Sequence, residues 1–202
     1  MTKIKLCGLS RACDIEAVNE LKPEYVGFVF AARSKRYVSP DQAAGLRSLL
    51  APKIQSVGVF VNEEPERIAR LMDQGIIDIA QLHGQENETY IGHLKQLTGR
   101  QIIKAFCIEK AEDIKIAEQS TADYVLLDSG QGSGTRFDWE LLKLMKRPYF
   151  LAGGLSPENV AAAAAMLHPF AVDVSSGIET DGVKDREKMA AFVAAVREVD
   201  RL

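Results

Sequence analysis

Leu126-Leu127-Asp128-Ser129-Gly130-Gln131-Gly132-Ser133-Gly134-Thr135-Arg136-Phe137-Asp138-Trp139 joins an apolar strand to a glycine-rich loop and then to an aromatic anchor. The strand carries the carboxyl group of Asp128 at its C-terminal tip, and the loop behind it supplies backbone N–H groups that can turn toward an anion. The arrangement recurs along the chain. Ile4-Lys5-Leu6 runs into Cys7-Gly8, Ile79-Ala80-Gln81-Leu82 into His83-Gly84, Tyr149-Phe150-Leu151 through Ala152 into Gly153-Gly154, and Val172-Asp173-Val174 into Ser175-Ser176-Gly177. Reactive groups at the C-terminal ends of successive parallel strands are the mark of a barrel enzyme.

Working outward from that stretch, apolar runs place strands at 3–8, 25–30, 54–61, 77–83, 101–107, 123–128, 148–152 and 169–174. Segments of helical spacing with caps lie between and after them, at 10–21, 39–50, 62–74, 86–97, 110–119, 138–145, 156–167 and 185–199. Val57-Gly58-Val59-Phe60-Val61 is apolar on both faces, as a parallel strand between a filled interior and a coat of helices must be. Eight βα units predict an α/β protein, a (β/α)8 TIM barrel forming a single domain over residues 1–202. The rival is a doubly wound open sheet. Its nucleotide-binding signals are missing, because Cys7-Gly8-Leu9-Ser10 is not GxGxxG and the later glycine loop lacks GK[ST].

A formal charge of −3 over 202 residues lacks the basic surplus of a nucleic-acid binder, so nucleic acid is not expected as a partner. Cys7, Cys13 and Cys107 are odd in number and show no CxxC spacing, which argues against a disulfide framework or zinc site and for a reducing cytoplasm. The chain opens on a strand-like segment without the pattern of a signal peptide. Its longest apolar run, 160–167, falls far short of the ~20 residues that span a bilayer, so no membrane association is expected. A monomer is the default expectation.

Cys7 at the tip of the first strand is a candidate base if positive charge lowers its thiol below the usual value, with a buried structural cysteine as the bland alternative. Lys5 shares its parity. Asp128, pointing the same way as Leu126, is a candidate acid. Gly132-Ser133-Gly134, Gly153-Gly154 and Ser175-Ser176-Gly177 follow strands six, seven and eight, where barrels of this class hold phosphate. Arg36 can clamp a carboxylate, or simply be solvated, and His83 can touch substrate or satisfy a polar barrel end. His93 and His168 are assigned no chemistry. Parity also puts Lys5, Gln81, Lys104 and Asp173 inside the barrel, where charges must pair, so Asp173 is expected either to meet one of the lysines or to hold a group near the phosphate site.

Taken in order, these motifs resemble the phosphoribosylanthranilate isomerase family over essentially the whole chain. They are Lys5-Leu6-Cys7-Gly8; Gly27-Phe28-Val29-Phe30 with Ser34-Lys35-Arg36-Tyr37-Val38; Val57-Gly58-Val59-Phe60-Val61-Asn62; Gln81-Leu82-His83-Gly84; and Leu127-Asp128 with Phe137-Asp138-Trp139. Leu151-Ala152-Gly153-Gly154-Leu155 with Pro157-Glu158-Asn159-Val160, and Val172-Asp173-Val174-Ser175-Ser176-Gly177 with Gly182-Val183-Lys184-Asp185, complete the set. Where the family usually shows Gly-Gly-Thr-Gly this chain has Gln131-Gly132-Ser133-Gly134, and serine keeps the hydroxyl. The resemblance implies an Amadori rearrangement of a phosphoribosyl anthranilate in tryptophan biosynthesis, without metal or organic cofactor. It also implies Asp128 as general acid, Cys7 as general base and Arg36 on the anthranilate carboxylate. Two other readings are another phosphosugar enzyme, such as an indole-glycerol-phosphate synthase with its lysine acid and glutamate, and a catalytically silent phosphosugar-binding barrel. The first lacks a suitable strand-end glutamate or lysine, and the second would not need both Cys7 and Asp128.

Overall fold

In the computed structural model, which describes residues 1–128, 139–199 and 201, eight parallel strands close on one another in sequence order. They are β1 (Lys3–Cys7), β2 (Tyr25–Val29), β3 (Gln55–Phe60), β4 (Ile79–Leu82), β5 (Ile102–Cys107), β6 (Tyr124–Asp128), β7 (Tyr149–Ala152) and β8 (Ala171–Val174). Closure is made by β1 on β8, with Lys5 opposite Asp173. Among the described residues seven α-helices coat the outside: α1 (Ala12–Leu21), α2 (Pro40–Leu49), α3 (Pro65–Asp73), α4 (Glu88–Thr98), α5 (Ala111–Gln119), α6 (Val160–Leu167) and α7 (Arg186–Val199). Among the described residues no helix is long and apolar enough to cross a membrane.

Local chemistry explains the helix limits. Ser39 and Gln42 exchange side-chain to backbone hydrogen bonds around Pro40, a capping box with proline at the first helical position, and α2 starts there. The helix expected from residue 62 begins only at Pro65, because Asn62 sits at φ 51 in the left-handed region. The one expected from 156 begins at Val160, because the Asn159 side chain accepts from Ser156 N and donates to Gly154 O, holding a turn there. The sixth expected helix, 138–145, is a correction: Trp139–Leu144 is a 3₁₀ helix, and Asp138 lies outside the described residues. Pro148, immediately before β7, disfavours helical backbone at Arg147 and stops a longer helix. A second addition is a hairpin, β9 (Glu179–Thr180) and β10 (Val183–Lys184). Asp181 at φ 51 and Gly182 at φ 78 are the positive-φ pair that a two-residue turn of this kind requires.

Strand alternation divides the apolar residues into two layers. Ile4, Leu6, Phe28, Phe60, Leu82 and Leu127 face the helices. Tyr25, Val57, Ile79, Ile103, Leu126 and Phe150 face the barrel axis. The lower end of the barrel is filled by aromatic rings, with Tyr25 and Phe150 centroids 5.4 Å apart and Tyr124 stacked on Phe170 at 5.1 Å. The side chains left facing the open, C-terminal end mix polar groups with a small apolar cluster of Cys7, Val29 and Val59.

Inside the barrel Lys5 is fully buried and its Nζ donates to Asp173 Oδ1 at 2.9 Å, so the expected pairing of Asp173 with a lysine is observed. Lys104 corrects the parity reading. Its neighbours Ile103 and Ala105 point inward, so Lys104 faces the helices, where Nζ donates to Gly84 O at 2.7 Å and Glu86 Oε2 at 2.8 Å. Removing one partner of a buried pair leaves the other charge uncompensated. Asp173→Asn is therefore expected to lower the free energy of unfolding by about 3–5 kcal/mol, measured by urea denaturation. A loss under about 1 kcal/mol would mean that Lys5 does not depend on that carboxylate.

Candidate active site

The C-terminal ends of the strands surround a cavity of about 450 Å³, within the usual range for a small-molecule site. Cys7 from β1, Gln81 from β4, Asp128 from β6 and Asp173 from β8 line it, as do His83, just past β4, and Arg36 from the loop after β2. Gly153, Gly154, Ser175 and Ser176 complete the side beneath β7 and β8. Gly177 is not part of the lining: a side chain there would collide with Leu155 O, so its glycine serves close packing of the two loops. Gly132, Ser133 and Gly134 lie outside the described residues.

Cys7 is 7% exposed. Gly27, its partner on β2, clears the space for the thiol, since a Cβ there would stand 2.6 Å from Sγ. The condition that positive charge lower the thiol is met only in part: burial pushes it above its usual value, and Lys5 and Lys184 offset part of that effect. Asp128 stands on β6, separated from β1 by β7 and β8 in the closed sheet. Acid and base candidates therefore approach the cavity from different sides.

His83 links two of the lining groups. Gln81 Nε2 lies 3.0 Å from His83 Nδ1, and His83 Nε2 lies 3.6 Å from Asp128 Oδ2. With the amide donating to Nδ1, a neutral imidazole carries its hydrogen on Nε2 and directs it toward the Asp128 carboxyl.

On the opposite rim Arg36 is not simply solvated. Its Nε donates to Glu179 Oε1 at 2.5 Å and its Nη2 to Glu179 Oε2 at 2.8 Å. Lys184 Nζ donates to the same Oε1 at 2.6 Å, and to Ser175 O at 2.8 Å. Burial alone would raise the Glu179 carboxyl, but the hydrogen bonds from Arg36 and Lys184 hold it down at about 2. The folded-state value is thus depressed below the unfolded one, about 4.3, so the unfolded chain binds more protons in acid. The stabilising contribution is complete above the unfolded value and is lost as pH falls toward 2. The melting-temperature difference between wild type and Glu179→Gln should accordingly shrink between about pH 5 and pH 2, measured by thermal unfolding at stepped pH. A difference independent of pH would contradict the pairing.

Glu179 and Lys184 stand behind Arg36 and Ser175, outside the cavity lining, and inspection of strand tips alone misses them. The signal was present in Asp181-Gly182, a two-residue hairpin turn that puts Glu179 directly opposite Lys184. Gly153 and Gly154, just after β7, sit at φ 88 and φ 62, a conformation that costs glycine little and other residues much. Ser175 Oγ, beside them, donates to Cys7 O at 3.1 Å and so ties the last strand loop to the first.

Residues 4–195 match the family model described as N-(5'-phosphoribosyl)anthranilate (PRA) isomerase. The chain is 46% identical over 202 residues to an N-(5'-phosphoribosyl)anthranilate isomerase of Endomicrobium trichonymphae, covering 98% of this chain and 99% of the relative. It is also similar, at TM-score 0.88 and 36% identity, to a phosphoribosyl anthranilate isomerase solved in complex with reduced 1-(o-carboxyphenylamino)-1-deoxyribulose 5-phosphate, covering 98% of this chain and 100% of that one. A third match, at TM-score 0.87 and 36% identity with the same coverage, is to monomers generated from the dimeric enzyme of Thermotoga maritima.

Proposed function

The chain belongs to the phosphoribosylanthranilate isomerase family, and we propose that it converts N-(5-phospho-β-D-ribosyl)anthranilate to 1-(2-carboxyphenylamino)-1-deoxy-D-ribulose 5-phosphate in tryptophan biosynthesis. The observation that carries this reading is the convergence of Cys7, Asp128 and Arg36 with the Gly153-Gly154 and Ser175-Ser176 loops on one cavity. The rearrangement needs an acid, a base, an anion cradle and a carboxylate clamp, and it calls for no metal or organic cofactor.

In the mechanism Asp128 gives its proton to the ring oxygen as the C1–O bond breaks, and the anilino nitrogen supplies the electron pair that forms the C1=N iminium. That cation acidifies the C2 hydrogen and at the same time favours ionisation of the neighbouring thiol. Cys7 then takes the C2 proton, the electron pair forms the C1=C2 bond, and nitrogen recovers its lone pair. The enolamine loses its hydroxyl proton and gains one at C1 to become the amino-ketose. The reacting form therefore holds one proton on the pair, on Asp128, with Cys7 as thiolate; burial works against that thiolate, and Lys5, Lys184 and then the iminium stabilise it. Backbone N–H groups of Gly153 and Gly154 with the hydroxyls of Ser175 and Ser176 hold the phosphate, together with Gly132, Ser133 and Gly134, which lie outside the described residues. Arg36 takes the anthranilate carboxylate, His83 contacts the substrate beside Asp128, and Asp173 borders the substrate while holding Lys5 beneath Cys7.

In the same reading residues 1–202 form one barrel domain that works as a cytoplasmic monomer. Its three cysteines are free, as a reducing compartment keeps them. The protein should restore growth without added tryptophan to a bacterial strain that lacks this isomerase. Failure to do so when the protein is present and soluble would contradict the proposed activity.

A further inference from the structure

Arg36 has five N–H groups arranged along two usable edges. The side edge, Nε with one Nη2 hydrogen, is filled by Glu179 at 2.5 and 2.8 Å. The outer edge, Nη1 with the second Nη2 hydrogen, is not needed for that pair. Glu179 is itself tightly held: its side chain is 5% exposed, and it faces Lys184 across the hairpin at 2.6 Å. Lys184 is anchored in turn on Ser175 O. The stem of Arg36 lies over Gly8, where a Cβ would stand 2.5 Å from Arg36 Cδ, so the arginine can occupy this path only because residue 8 is glycine.

We propose that Glu179 is a positioning residue for the substrate carboxylate: by occupying the side edge of the Arg36 guanidinium it directs the outer edge at the carboxyl group of the anthranilate ring. The inference rests on the reading that Arg36 binds that carboxylate. A guanidinium fixed before the ligand arrives loses little side-chain freedom on binding, and a second bidentate pair on the outer edge adds geometric selection for a planar anion at that place. Glu179 also cancels one of the positive charges contributed by Arg36, Lys184 and, at 3.8 Å, Lys35. A purely Coulombic role would therefore make Glu179 a competitor of the substrate carboxylate, and its removal would tighten binding. Positioning makes the opposite prediction.

The test measures, by calorimetric titration, reduced 1-(o-carboxyphenylamino)-1-deoxyribulose 5-phosphate and the same compound without its carboxyl group, on wild type, Glu179→Gln, Glu179→Asp and Arg36→Ala. In Glu179→Gln the amide offers a donor where Arg36 Nη2 needs an acceptor, so the side edge is no longer held. The carboxylated ligand should then bind about tenfold more weakly and the decarboxylated one within about twofold of wild type. The KM of the natural substrate should rise similarly, with kcat changed less. Glu179→Asp keeps the charge and the Lys184 pair and should lose part of the same discrimination. Equal weakening of both ligands in both Glu179 variants, or tighter binding of the carboxylated ligand, overturns the proposal while leaving the Arg36 clamp intact. If Arg36→Ala also fails to distinguish the ligands, the clamp and the proposal fall together.

Discussion

Asp128→Asn should lower kcat/KM by about 10³-fold, within the 10²–10⁴ range that a positioned general acid contributes, while the protein stays folded. The substitution keeps the shape of the side chain and removes only its ability to donate the proton that opens the ring. At 29% exposed, the residue is not part of the packed interior, so the cost in stability should be small. His83, whose Nε2 lies 3.6 Å from Asp128 and whose Nδ1 lies 3.0 Å from Gln81 Nε2, remains in place. Steady-state kinetics with far-ultraviolet circular dichroism tests this directly. A folded variant retaining more than about a tenth of the wild-type rate would remove Asp128 from the role of acid.

Cys7→Ala should be comparably severe, about 10²–10⁴-fold in kcat/KM, because the C2 proton then has no base beside it. Deleting a sulfur from a residue that is 7% exposed leaves only a small void next to Gly27, so folding should survive. The pH profile adds an independent check. Acid catalysis by Asp128 and base catalysis by Cys7 together require one proton on the pair, so kcat/KM stays level until that last proton is lost. Burial raises the Cys7 thiol, which places the alkaline decline above the ordinary thiol value of about 8.5. In Cys7→Ala the thiol no longer titrates, so the alkaline limb of the residual activity should move away from its wild-type position. A wild-type profile already falling at neutral pH, or an unchanged alkaline limb in the variant, would contradict the assignment.

The barrel was legible because each strand is an apolar run bounded by polar or glycine tips, and those tips are where Cys7, His83, Asp128 and Ser175 stand around the cavity. Two misreadings have separate causes. Ile102-Ile103-Lys104-Ala105-Phe106 is apolar on both faces, so alternation could not show that Lys104 points outward to Glu86. Trp139–Leu144 has helical spacing over too short a span for the pattern to separate an α from a 3₁₀ helix before Pro148. The Glu179 pair with Arg36 joins residues 143 positions apart, which no local pattern reports. The direction of the Cys7 thiol was left open by the sequence because the balance between its burial and the charges of Lys5 and Lys184 depends on the packed structure.

The most direct measurement is the decay of anthranilate fluorescence when purified protein is added to N-(5-phospho-β-D-ribosyl)anthranilate generated in situ. Rapid decay proportional to protein concentration, yielding the amino-ketose phosphate, is the expected result. Decay no faster than in buffer, from protein that still binds the reduced amino-ketose phosphate, would contradict isomerisation and leave a barrel that holds a phosphosugar without transforming it.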